Sequence, residues 1–154
     1  MFMNHKTLRD LFDIPPPFVR HPFPSRLLRF TGRLKRPEQS SIETVFRVGG
    51  FGVFDVSTLT FFENGTVLRH VDQSALSISE EFEGEEAEQI RMKFESLGTH
   101  RWPIVFEEPE GVITVDGTQW NLSVSANGKL VHEHSGSNAY PAQWRQLTQL
   151  FCIS

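Results

Sequence analysis

Val53-Phe54-Asp55-Val56-Ser57-Thr58-Leu59-Thr60-Phe61-Phe62, then Glu63-Asn64-Gly65, then Thr66-Val67-Leu68-Arg69-His70-Val71, is the stretch on which the fold turns. Branched and aromatic side chains crowd both runs, and such residues fit a pleated, half-buried surface. Asn-Gly between two such runs is a strong hairpin signal, because a type I′ turn needs positive φ at both central positions. The stretch therefore reads as two antiparallel strands closed at Asn64-Gly65.

Working outward, Glu43 to Val48 alternates loosely until Gly49-Gly50-Phe51-Gly52 interrupts it. Three glycines in four positions permit positive φ or a bulge. Downstream, Ser77 and Glu80 have capping-box spacing, and Ala87, Ile90, Phe94 and Leu97 share one helical face. Gly84 inside that helix costs about 1 kcal/mol, which makes Gly84 the alternative start, and Gly98 is the expected stop. The glutamates from Glu80 to Glu88 read as a solvated face favouring the helix N-terminus, or as an acidic recognition patch. Pro103 makes Trp102 to Phe106 an edge strand or a strand start. Gly111 to Val115, a turn at Asp116-Gly117, and Trp120 to Ser125 read as a second hairpin. Asn127-Gly128 turns the chain into a third strand over Lys129 to His134. Pro141 opens a final helix with Trp144, Leu147, Leu150 and Phe151 on one face.

These elements predict an α+β fold, a twisted antiparallel sheet of about five to six strands with two helices packed on one face. Residues 41–154 form the single domain and residues 1–40 an N-terminal extended arm. Six of the nine prolines lie in that arm, which should be extended or polyproline-like from Asp13 to Ser25. Through Ser40 the chain carries eight Lys/Arg against three acids, a net +5, whereas the whole chain has a net charge of −4. The remainder is therefore at −9. A basic arm beside an acidic body is expected to dock on it.

Hydrophobic residues at 38% and charged residues at 22% suit a folded chain rather than a disordered one. Cys152 is the single cysteine, so an internal disulfide and a Cys-based zinc site are excluded. No export signal or membrane-length apolar run is apparent, and the cytoplasm is the expected compartment. His132 and His134, two apart in a strand, share a face, but a credible metal site needs further ligands, and His70 and His100 lie elsewhere. No metal or cofactor is expected. Cys152 lacks a helical His neighbour to activate it, and nucleophile-elbow, P-loop and His-Glu-X-X-His motifs are absent.

The most distinctive stretches are Asp116-Gly117-Thr118-Gln119-Trp120 and Gly136-Ser137-Asn138-Ala139-Tyr140-Pro141. One reading makes them turn, aromatic core and helix cap, with Ser137 or Asn138 capping the final helix. The other brings Asp116, Asn138 and Tyr140 together on an exposed rim that holds a protein partner, with Phe51 in the glycine loop. With no catalytic groups in view, the expected function is non-catalytic protein binding, as a protease inhibitor or a toxin-neutralising immunity protein. A small enzyme or ligand-binding protein is the alternative. Nucleic-acid binding is a second, because the arm interleaves arginines with Phe18, Phe23 and Phe30, although the acidic body would repel phosphates.

Arg47-Val48-Gly49-Gly50-Phe51, followed by Asp116-Gly117-Thr118-Gln119-Trp120-Asn121-Leu122-Ser123-Val124, resembles the emfourin family, small bacterial proteins with an early Arg-X-Gly-Gly element and a later Asp-led aromatic strand. That resemblance implies inhibition of thermolysin-type metalloproteases by a non-catalytic α+β domain. Glu107-Glu108-Pro109-Glu110 stands where emfourins carry paired prolines. The Asp-Gly-X-X-Trp strand and the Gly-Ser-Asn-Ala-Tyr-Pro run are also similar to those of uncharacterised bacterial proteins. Together the resemblances span Glu43 to Phe151.

Overall fold

A computed structural model describes residues 39–114 and 117–153. All but the last two residues of the basic arm, as well as Val115 and Asp116, lie outside the described residues. Seven strands form one sheet: β1 (Ser41–Gly50), β2 (Val53–Phe62), β3 (Val67–Gln73), β4 (Leu76–Phe82), β5 (Val105–Phe106), β6 (Gln119–Ala126) and β7 (Lys129–Ser137). Two helices, α1 (Gly84–Ser96) and α2 (Trp144–Phe151), and a 3-10 turn at Thr99–Arg101 complete an α+β fold. Strand order is β4-β3-β2-β1-β6-β7-β5. Among the described residues only the β5–β7 pair is parallel, so the sheet is mixed, and its seven strands exceed the five to six expected.

The period of two along the strands sorts the faces. Ile42, Thr44 and Phe46 of β1 stand level with Phe61, Leu59 and Ser57 of β2 and with Ala126, Val124 and Leu122 of β6, and all nine are buried. Both helices cover this face. Phe151 of α2 lies 5.2 Å from Phe46 and Phe94 of α1 lies 5.4 Å from Phe61, ring centre to ring centre. The other face carries Glu43, Arg47, Thr58, Thr60, Ser123 and Ser125, none of them buried. Thr44 is satisfied inside the core by donating its hydroxyl to the Leu59 carbonyl at 3.0 Å.

Four expectations are corrected. Ser77 and Glu80 do not begin a helix: they lie in β4, which pairs with β3 without a break from Gln73↔Leu76 to Val67↔Phe82. Seven ladder residues outweigh a local capping pattern, and α1 starts at Gly84, the alternative start. Gly111 to Thr114 pairs with nothing as a strand, because β1 and β7 already occupy both edges of β6. The Asn64-Gly65 hairpin forms, but only Gly65 has positive φ (98°); its N–H donates to the Phe62 carbonyl at 3.0 Å, while Asn64 Oδ1 accepts from the Thr66 N–H. That is a three-residue loop ending in a left-handed glycine, not a type I′ turn. Finally, α2 begins at Trp144, after a turn in which the Trp144 N–H donates to the Pro141 carbonyl, and no side chain caps it.

Type I′ geometry appears twice elsewhere. Asn127-Gly128, at φ of 51° and 82°, joins β6 to β7, and Phe51-Gly52, at 53° and 80°, joins β1 to β2.

Candidate interaction surface

The ends of β1 and β7 and the start of β6 converge at one end of the sheet, since Gly49 pairs with Gln119 and Gln119 with Ser137. Three of the four sequence-derived site residues lie here. Phe51 tips the β1–β2 hairpin with 89% of its surface exposed. Asn138 follows β7 in a left-handed conformation (φ 53°), and its N–H donates to the Thr118 carbonyl at 3.0 Å. It caps no helix. Its side chain lies over Gly117, where a Cβ would collide with the amide group. A Cβ on Gly50 would in turn sit 3.0 Å from the Gly117 carbonyl oxygen. Gly50, Gly117 and the Asn138 side chain thus form one close-packed file behind the Phe51 tip. Tyr140, exposed, tilts against Trp144 with centroids 4.6 Å apart. Asp116, the fourth residue, lies outside the described residues.

A feature that local reading missed holds the rim in place. Trp120 is buried, and its indole N–H donates to the Ala139 carbonyl at 2.8 Å, between Asn138 and Tyr140. The indole reaches that oxygen over Gly136, the partner of Trp120 in the ladder, where a Cβ would overlap both atoms. An isolated glycine inside a strand signals close approach of another group, and that signal was present in the sequence. A cleft of about 460 Å³ opens beside this latch, lined by Phe106, Glu107, Glu108, Trp120 and the end of β7.

His132 and His134 are neighbours on the helix-covered face. His134 Nδ1 lies 2.8 Å from the Pro103 carbonyl, which can only accept, so Nδ1 carries the proton and Nε2 is an acceptor. That Nε2 lies 2.9 Å from His132 Nδ1, which must then donate. The lone pair of His134 that a metal would need is engaged by its neighbour. Among the described residues no group of three or more His, Cys, Asp or Glu is placed to hold a metal ion. The His70–Ser79 pair, 2.7 Å apart, resembles a base–nucleophile contact, but it stands exposed across β3 and β4, on the far side of the sheet from the cleft.

Burial above all, then the proximity of His134 and His100, lowers the His132 pKa from 6.5 to about 4. Between those values the unfolded chain binds a proton that the folded chain does not. Stability from this group is complete above the unfolded pKa and falls as the pH drops toward the folded one. With screening of a partly exposed ring, the expected loss is about 2 kcal/mol. Urea unfolding at about pH 7 and about pH 4.5 will measure it, and His132→Asn should flatten the slope over that range.

No described helix is long and apolar enough to cross a membrane. Neither a protein-family profile nor a curated protein sequence matches the chain.

Proposed function

We propose that this domain is a non-catalytic protein-binding module whose contact end is the Phe51 hairpin tip, flanked by Asn138 and Tyr140. The observation that carries this reading is an internal comparison. Two type I′ turns serve the same sheet, and one uses Asn127-Gly128, the pair that such turns favour. The other places a phenylalanine at φ 53°, where a bulky side chain costs about 1–2 kcal/mol, and leaves it 89% exposed. Phe51 adds nothing to the core, so its cost is offset only when the ring is covered by something else. Exposed Val53 beside it widens the apolar tip, and aromatic anchors ringed by polar groups are the usual centres of protein interfaces.

The resemblance to emfourins makes a thermolysin-type metalloprotease the first partner to test, with a toxin as the second. Phe51→Asn is expected to raise the unfolding free energy by about 1 kcal/mol and to lose partner binding. A photo-reactive phenylalanine at position 51, in the chain expressed in its native cell, should cross-link a discrete protein that the same probe at exposed Met92 on α1 does not. Identical adducts from both positions would remove the reading. Absence of inhibition of a thermolysin-type protease by micromolar wild-type protein would remove its inhibitor form.

A further inference from the structure

We infer that the cleft beside the Trp120 latch receives an arginine side chain of the partner protein. The inference rests on the protein-binding reading above and names the chemistry of a second contact on the same surface.

The cleft, at about 460 Å³, has the size of built ligand sites, which run to about 300–1,000 Å³. Its acidic wall is fixed from both sides. Before it, the Ser135 N–H donates to the Ile104 carbonyl at 2.9 Å, and Val105 and Phe106 pair with Ser135 and Gly136. The half-buried Phe106 ring stands against Trp102 at 5.8 Å and Trp120 at 5.4 Å. After it, the Val112 N–H donates to the Pro109 carbonyl at 3.2 Å and turns the chain. Glu107 and Glu108 are thus held between an anchored strand and a turn.

Charge selects the occupant. Among the described residues, Glu107 and Glu108 are the only charged side chains that line the cleft. Glu108 is half-buried, and neither carboxylate has an ion-pair or hydrogen-bond partner among the described residues. Glutamates elsewhere do: Glu80 meets Arg69 at 2.6 Å and Glu88 meets Arg91 at 3.4 Å. From Trp102 to Gly128 the sequence holds no lysine or arginine, so no cation close in the chain fills that role. Withdrawing a carboxylate from water without a partner is costly, and an incoming positive charge offsets that cost. A guanidinium suits this cleft better than an ammonium. It is planar and weakly hydrated, stacks on aromatic rings and donates as a fork to carboxylates, and Phe106 and Trp120 line the same space. Phosphate groups would be repelled by the same two charges.

The cleft and the Phe51 tip share one end of the sheet. Gly49 pairs with Gln119, Gln119 with Ser137, and β5 runs parallel to β7 to finish beside Gly136. β1 and β5 are three strand spacings apart, about 14 Å. A single partner face of about 800 Å² spans both contacts. Aromatic and arginine anchors are the pair that such interfaces favour.

Titration of the full chain with Nα-acetyl-arginine amide, followed by the N–H resonances in NMR, tests this. Signals of Glu107, Glu108 and the Trp120 indole should shift saturably at millimolar ligand, and the amide of Met92 on α1 should not. Nα-acetyl-citrulline amide, nearly the same shape without the charge, should bind at least about tenfold more weakly. Glu107→Gln combined with Glu108→Gln should weaken the arginine amide by a similar factor, whereas Glu110→Gln, outside the cleft, should leave it nearly unchanged. Circular dichroism checks that the fold is unaltered. No saturable shift, equal binding of both amides, or full binding by the double variant would overturn the proposal. The probe needs no partner, so such a failure beside a discrete Phe51 adduct strikes the cleft and spares the protein-binding reading. Saturable arginine binding without that adduct would strike the reading and, with it, the protein source of the cation.

Discussion

Phe46→Ala is expected to lower the unfolding free energy by about 3–5 kcal/mol, the range for deleting a fully buried aromatic ring. Phe46 lies on the strand from which the sheet grows in both directions, between Ser57 of β2 and Leu122 of β6, with no exposed surface. Its ring meets Trp144 at 5.6 Å and Phe151 at 5.2 Å, so one side chain ties the sheet centre to both ends of α2. The loss combines the transfer of the ring, a cavity too enclosed to collapse, and ring contacts, one edge-on and one tilted, worth about 0.5–1.5 kcal/mol each. Set against a typical total of about 5–15 kcal/mol, this removes roughly a fifth or more of the stability. The melting temperature should fall by roughly 10–15 °C. Phe46→Leu should cost far less, and Met92→Ala on the exposed side of α1 should stay within about 0.5 kcal/mol. Urea unfolding followed by tryptophan fluorescence will read the effect, because Trp144 reports directly on the contact. A loss below about 1 kcal/mol would show that α2 does not close the core over β1.

Much of this arrangement was legible where the determining interactions are local. The α1 face of Ala87, Ile90 and Phe94 and the α2 face of Leu147, Leu150 and Phe151 follow from helical spacing, and all six residues are buried. The Asn127-Gly128 turn follows from the φ it demands. Non-local pairing is where residue patterns failed. Nothing near Gly111 to Val115 signals that β1 takes the edge of β6, so a local hairpin looked complete when the real partner lay far away in sequence. Ser77 and Glu80 satisfied a capping pattern, but the vacancy beside β3 decided their structure. At the candidate site, the glycines and aromatics picked out in the sequence fall together at one end of the sheet. The latch between Trp120 and Ala139 did not emerge, because it depends on which residue a strand places beneath the indole.

That latch makes Gly136→Ala the most informative single substitution near the rim. The added methyl would overlap both Trp120 Nε1 and the Ala139 carbonyl oxygen, so the indole or the 138–140 segment must move. Overpacking of this kind costs about 1–3 kcal/mol, and a buried indole N–H left without its acceptor costs a further 1–3 kcal/mol or so. The ring has little room to retreat: Phe106 lies at 5.4 Å, Trp144 at 5.5 Å and Trp102 at 6.3 Å. The expected loss of stability is about 3 kcal/mol. Moving Ala139 also displaces Asn138 and Tyr140 on either side, so the binding proposed for the rim should weaken even where the fold persists. Trp120→Phe separates the two causes, because it deletes the donor while keeping most of the ring. With phenylalanine at position 120, the alanine methyl meets no indole nitrogen and breaks no bond, so the double variant should cost at least about 1 kcal/mol less than the sum of the singles. Additivity within about 0.5 kcal/mol would mean that the two residues act separately and that the rim is held by something other than the indole.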